Sequence, residues 1–146
     1  MGYEVRLEEV QSRRLAAAHG STTRAELGGT ILKLLDSVWA VLRAQRVPTD
    51  HNVVVYYGGL GHIEVGVEVL GDFQAQGEVR EALTPAGTAV TTTHWGEYTE
   101  LLGAYQALER WCATNGRRPS GTSWEVYGDW AEQPQDRRTD IYLLLA

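Results

Sequence analysis

Cysteine is almost missing from this 146-residue chain: Cys112 stands alone, so no intramolecular disulfide can form and every zinc motif built on paired thiolates is excluded. Positive charge is in deficit. Thirteen Lys and Arg against 19 Asp and Glu leave a net charge of −6, and without a global positive field neither a nucleic-acid partner nor an anionic membrane surface is expected. No long apolar run occurs. Met1 to Gln11 is charged at alternate positions and has no apolar centre, which argues against a signal peptide or membrane-spanning helix and gives the expectation of a cytoplasmic protein. Phenylalanine appears once, beside five Trp and seven Tyr, so nearly every aromatic ring carries a polar handle and suits a lined pocket or a polar surface. With 43% apolar and 22% charged residues the composition is that of a folded globular chain, and the length fits one domain spanning 1–146.

Periodicity predicts two helices. From Thr23 to Gln45 the apolar positions Leu27, Ile31, Leu34, Leu35, Val38, Val41 and Leu42 recur at helical spacing, with Thr23 and Glu26 placed as a capping box and Pro48 barring continuation. From Glu97 to Asn115 a stripe of Tyr98, Leu101, Leu102, Tyr105, Leu108, Trp111 and Cys112 predicts the second, with Gly116 at its left-handed exit. Strands are expected over Tyr3–Val10, Arg13–Ala18, Asn52–Tyr57, His62–Leu70, Glu78–Leu83, Thr88–His94, Ser123–Tyr127 and Asp140–Leu145, six of the eight being the safer number. Residues 62 to 70 alternate cleanly, with Ile63, Val65, Val67 and Val69 facing a core and His62, Glu64, Gly66 and Glu68 facing water. Gly58, Gly59 and Gly61 make the turn between two strands and lack the Lys and Ser or Thr of a phosphate cradle.

Laid against itself, the chain shows a faint duplication of strand, helix and two strands, with pseudo-repeats at about 1–72 and 75–146. His19 matches His94, and Asn52 to Gly58 matches Thr122 to Gly128. The expected fold class is therefore α+β, built of duplicated β-α-β-β units.

The second half carries a more specific pattern. His94 and Gly96 ahead of Tyr98, then Leu101, Tyr105, Leu108 and Trp111, Gly116, and Trp124 to Tyr127 resemble GyrI-like small-molecule-binding domains, which are similar to the effector-binding domains of AraC-type and MerR-type regulators. The resemblance implies that the two β-α-β-β units join into one antiparallel sheet with both helices on one side, a central cleft between the halves, and the binding there of bulky, often cationic and aromatic drugs against aromatic walls and a buried glutamate. It also implies that some stand-alone members hydrolyse cyclopropane-bearing genotoxins with the same glutamate. Residue 3 already reads as strand, leaving no helix-turn-helix ahead of it, so a stand-alone chain is expected.

Glu125 is the sharpest candidate. Alternation sets it on one face with Ser123 and Tyr127, and a carboxylate held in a poorly solvated aromatic cleft is relieved by a delocalised cation that also gains cation–π contacts. Tyr127 joins it, and Tyr57 is preferred over Tyr56 because it aligns with Tyr127 across the duplication. Trp95 can lean over the cleft mouth or staple the helix start, and His94 can orient a ligand or cap the backbone. Trp39 and Trp111, on helices near the buried stripes, suit core packing better than ligand contact. None of His19, His51, His62 and His94 stands three or four residues from another ligand on a helix, so no metal and no cofactor are expected. Arg117, Arg118, Arg137 and Arg138 read as solvated loop charges.

The leading expectation is a multidrug or small-molecule-binding protein for hydrophobic cationic or aromatic compounds. The alternative is a hydrolase opening cyclopropane rings, with Glu125 as general base and Tyr127 or Tyr57 as hydrogen-bond donor to the carbonyl oxygen. A protein partner, with the acidic chain imitating DNA, ranks last because its charge is not concentrated in a strip.

Overall fold

Runs of β-branched and aromatic residues with a period of two form most of the chain's regular structure. The computed structural model describes residues 2–146, and its strands are β1 (Arg6–Val10), β2 (Arg14–Gly20), β3 (Thr49–Tyr57), β4 (Ile63–Val69), β5 (Arg80–Leu83), β6 (Gly87–Trp95), β7 (Pro119–Tyr127) and β8 (Arg138–Leu145). The helices are α1 (Leu27–Gln45) and α2 (Leu102–Thr114), with a short 3-10 turn at Pro134–Asp136. The eight strands form one sheet in the order β1-β6-β8-β7-β3-β4-β2-β5, and every pairing is antiparallel.

That order displays the duplication. The units β2-α1-β3-β4 and β6-α2-β7-β8 contribute the triplets β3-β4-β2 and β7-β8-β6, which meet through the β3–β7 pair at the centre of the sheet. The strand leading each unit is exchanged. β1 precedes the first unit but pairs with β6 of the second, and β5 precedes the second unit but pairs with β2 of the first.

Both helices pack on one face. α1 buries Leu34, Val38, Val41 and Leu42 on a layer that includes Ala16, Ala18, Val54, Ile63, Val65 and Val67, while α2 buries Ala104, Leu108 and Cys112 over Val90, Ile141 and Leu143. Each large apolar side chain so buried contributes roughly 1.5–3 kcal/mol. α1 lies over β2 and β4 and α2 over β6 and β8, which leaves the central pair β3 and β7 beneath the groove between the helices. A third apolar cluster of Leu15, Ala17, Val53, Val55, Ala89 and Trp124 occupies the helix-free face, where Trp124 stacks on Tyr142 with ring centroids 4.9 Å apart.

Both helices start later than their periodicity predicts. α1 begins at Leu27 rather than Thr23, and the capping box does not form: Glu26 precedes the helix without a side-chain cap, and its amide donates to the Thr23 carbonyl at 3.1 Å in a simple turn. Gly28 and Gly29 in the opening turn weaken helix initiation there. α2 begins at Leu102 rather than Glu97, because Gly96 at φ 140° turns the chain and residues 97–101 form a connecting loop. Gly116 at φ 63° is the expected left-handed exit.

The alternation of β4 holds, but its second face is not wet throughout: Glu64 is 4% exposed and Gly66 is also buried. A Cβ on Gly66 would lie 2.5 Å from the Ala16 carbonyl oxygen and 2.8 Å from Ala17 Cβ. Gly66→Ala is therefore expected to lower the stability of the fold by about 1–3 kcal/mol, the usual penalty of overpacking, read as a fall in the denaturant midpoint at unchanged slope.

Candidate functional site

Strand parity selects the side chains that enter the groove. On β7, Ser123, Glu125 and Tyr127 point toward the helices, and the β3 register pairs them with Tyr56, Val54 and Asn52 respectively. Glu125 thus sits at the centre of the sheet, between Val54 and Ile141 of the neighbouring strands. It is 4% exposed.

Three phenols from three elements converge on this carboxylate. Tyr105 of α2 donates to Glu125 Oε2, Tyr127 of β7 donates to Oε1, and Tyr56 of β3 reaches Oε1 at 3.5 Å. Burial raises the pKa of Glu125 above the usual carboxylate range, and the three hydroxyls oppose that shift without cancelling it. The tyrosines are held in their neutral, donating form: burial first, then the Glu125 charge, pushes the pKa of Tyr56, Tyr105 and Tyr127 upward. A carboxylate has room for about four hydrogen bonds, so ionised Glu125 is largely satisfied by protein donors without bulk water.

The walls follow from the same geometry. Trp39 of α1 and the rings of Tyr56 and Tyr127 pack against one apolar cluster, and Trp39 Nε1 donates to Asn52 Oδ1 at 3.1 Å. Tyr98, in the 96–101 loop, meets Tyr127 edge-on with centroids 5.6 Å apart. Arg137 holds this loop to the β7–β8 connection. Its guanidinium donates to Glu97 Oε2 at 3.1 Å and to the Ala131 carbonyl at 2.8 Å, and lies over the Tyr98 and Trp130 rings.

The residues expected at the site are thus only partly assembled. Glu125, Tyr127 and Trp39 share the groove, whereas Tyr57 points to the opposite face and joins the helix-free cluster; the ring facing Glu125 is Tyr56, because the β3–β7 register pairs it with Ser123. His94 is buried away from Glu125, with Nδ1 bonded to the Tyr3 hydroxyl at 2.8 Å and Nε2 to the Glu97 carbonyl at 3.1 Å. Trp95 is 57% exposed at a strand end, under the Arg138 guanidinium. Trp111 packs on the α2 cluster. Arg137, expected as a solvated loop charge, is instead a bridge between loops.

Periodicity and the family pattern both include Tyr105, but neither marks it as a site residue, and alignment of the halves favours Tyr57 over Tyr56. The signal available for Tyr105 was its phenol on an inward face opposite a strand that carries an acid. Among the described residues, no group of three or more His, Cys, Asp or Glu is arranged to hold a metal ion, and no helix is long and apolar enough to cross a membrane.

Comparison with known proteins adds the family. Residues 3–146 match the GyrI-like small molecule binding domain. The chain belongs to that family. No curated protein matches it.

Among solved structures, this GyrI-like chain is similar to the EcmrR C-terminal domain, with a TM-score of 0.86, 20% identity and coverage of 100% of this chain and 99% of that one. It spans 57% of EcmrR in its DNA complex, at a TM-score of 0.83 and 20% identity. A hydrolase from Listeria innocua matches at 0.67 with 10% identity over 99% and 93% of the two chains. SAV2435 bound to tetraphenylphosphonium matches at 0.62 with 11% identity over 98% and 94%. At these identities the likeness establishes the fold.

The raised pKa of Glu125 makes a prediction for the fold itself. Its protonated form contributes stability that is fully present below the unfolded-state value and is lost as pH rises through the higher folded-state value. Glu125→Gln is accordingly expected to be more stable than the parent at pH 8, by about 0.5–2 kcal/mol, with the gap closing toward pH 4; thermal denaturation of both proteins across that range measures it.

Proposed function

We propose that the groove over β3 and β7 binds bulky organic cations bearing aromatic rings, with Glu125 as the anionic anchor. The observation that carries this reading is a carboxylate almost withdrawn from water and surrounded by Tyr56, Tyr105 and Tyr127. A buried anion with hydrogen-bond donors but no countercharge remains at a disadvantage, and a soft cation with a dispersed charge relieves it at little desolvation cost of its own. Ring faces add cation–π attraction of roughly 0.5–2 kcal/mol each. Flat phenol and indole surfaces place few demands on ligand shape, so charge sign is selected more strictly than structure.

Glu125 is nearly sealed, so entry requires the ring of Tyr98 to leave Tyr127. The loop that carries Tyr98 is tied to the β7–β8 connection at Arg137, by an ion pair and ring contacts of its side chain, interactions of modest strength at a surface, and by the Gly96 amide donating to the Arg137 carbonyl at 3.0 Å. Sensing or sequestering lipophilic cations is the role this arrangement serves. It accords with the small-molecule-binding description of the family and with the tetraphenylphosphonium held by SAV2435.

Titration with tetraphenylphosphonium, followed by tryptophan fluorescence, is the test. Micromolar binding is expected, weakened about tenfold or more by Glu125→Gln, a loss of about 1.4 kcal/mol. Affinity should rise with pH as Glu125 ionises through its raised pKa and flatten above it. Absence of binding below millimolar ligand, or indifference to Glu125→Gln, ends this interpretation.

The same constellation supports a second reading, because a carboxylate of raised pKa beside phenolic donors has the components for general-base hydrolysis. Glu125 would take a proton from water as the water oxygen bonds to a carbon of a cyclopropane conjugated to a carbonyl and the ring C–C bond breaks. Tyr127 or Tyr105 would donate to the enolate oxygen that results, and the proton on Glu125 would then pass to the enolate carbon. Tyr57 has no part in it, being on the other face of the sheet. Both Glu125 oxygens already accept hydrogen bonds, which favours binding over turnover. Mass spectrometry of a cyclopropyl ketone incubated with the protein separates the two, with the substrate expected to emerge unchanged and the gain of one water per molecule favouring hydrolysis.

A further inference from the structure

The helix-free face carries a second buried acid that the Glu125 groove does not use. Glu64 of β4 lies between Val55 of β3 and His19 of β2 in the register and is 4% exposed. Its Oε2 bonds to His19 Nε2, while Oε1 is buried without a hydrogen-bond partner. A buried carboxylate oxygen left unpaired is destabilising, so the fold retains here an acceptor that none of the described residues engages at close hydrogen-bond distance.

Glu64 lines a hollow of about 360 Å³ together with Ala17, His19, Glu78, Arg80 and Ala82. Alanines where longer side chains could stand leave the space open. Glu81 also borders it, but its carboxylate is committed to Arg14 at 2.8 Å. Tyr57, stacked at a tilt on His62 with centroids 4.9 Å apart, has its pKa pushed up by burial first, then by the Glu64 charge and by hydrogen bonding to that carboxylate. Acid, phenol and imidazole thus recur on the face opposite Glu125.

We propose that this hollow is a separate binding site for a small primary ammonium compound, whose N–H donors reach the Glu64 carboxylate once its side chain turns Oε1 toward the hollow. The chemistry fits on three counts. The orphan atom is an acceptor, which calls for a donor. The carboxylate is nearly withdrawn from water, so a charged donor gains more there than a neutral one. Glu78 also lines the hollow, so a second carboxylate favours a cation there. A metal ion is a poor occupant, because no three ligating side chains converge among the described residues. Arg80 on the rim opposes a cation and sets an internal check: its removal should help an ammonium ligand and harm an anionic one.

The experiment uses n-butylammonium chloride with the full chain. Histidine side-chain NMR follows His19 and calorimetry gives the affinity. Saturable binding that shifts the His19 ring resonances is expected, weakened about tenfold or more by Glu64→Gln, tightened by Arg80→Gln, and unaffected by Glu125→Gln or saturating tetraphenylphosphonium. The wild-type His19 shift remains informative whatever the folding of the variants. The proposal is overturned if butylammonium leaves His19 unmoved, if Glu64→Gln binds as the parent does, if Arg80→Gln weakens binding, or if tetraphenylphosphonium or Glu125→Gln abolishes it. Only that last result moves the amine to the Glu125 groove.

Discussion

A carboxylate deprived of water is tolerable in a fold only when donors are brought to it, and the groove is organised around that requirement at Glu125. The three donors come from β3, β7 and α2, so both structural units must be in place before the acid is satisfied. The β3–β7 register delivers two of them. The third depends on α2 lying over β6 and β8 at a height from which Tyr105 can reach the sheet. A charge that the folded state keeps at some disadvantage is the feature a ligand of opposite sign can exploit, which links the local energetics to binding.

The architecture supplies this geometry through duplication. Two β-α-β-β units joined edge to edge set their helices apart, and the joining strands are met by single side chains reaching across from each helix, Trp39 from α1 and Tyr105 from α2. Neither unit alone would make the groove. The opposite face is closed by apolar side chains from both units, with Val53, Val55 and Trp124 nearly inaccessible although no helix covers them. Glu64 is the buried carboxylate within that layer, which is why its orphan oxygen is informative.

Much of this was legible in the sequence, and the reasons differ from element to element. Strand alternation placed Glu125 and Tyr127 on one face because a period of two needs no knowledge of neighbours. The choice between Tyr56 and Tyr57 went the wrong way because internal alignment says which residues correspond, whereas the face a ring occupies depends on pairing across the sheet. Glu64 read as a wetted residue for a related reason. Its burial comes from His19, Val55 and the approach of β5, all distant in the chain. Helix starts were misplaced where apolar periodicity ran beyond the last stable turn, at Gly28 and Gly29 for α1 and at Gly96 for α2. Arg137 looked like one of several loop charges because its contacts with Glu97, Tyr98 and Trp130 are made across a gap of up to about 40 residues.

The exchanged leading strands limit how the molecule can adapt. Each half lends its opening strand to the other, and β3 and β7 are continuously paired from Asn52–Tyr127 to Tyr57–Thr122. Prising the halves apart like a hinge would break three ladders at once. The groove's floor is therefore a rigid plate, and molecules of different girth must be accommodated from above, by displacement of the 96–101 loop and small tilts of the helices.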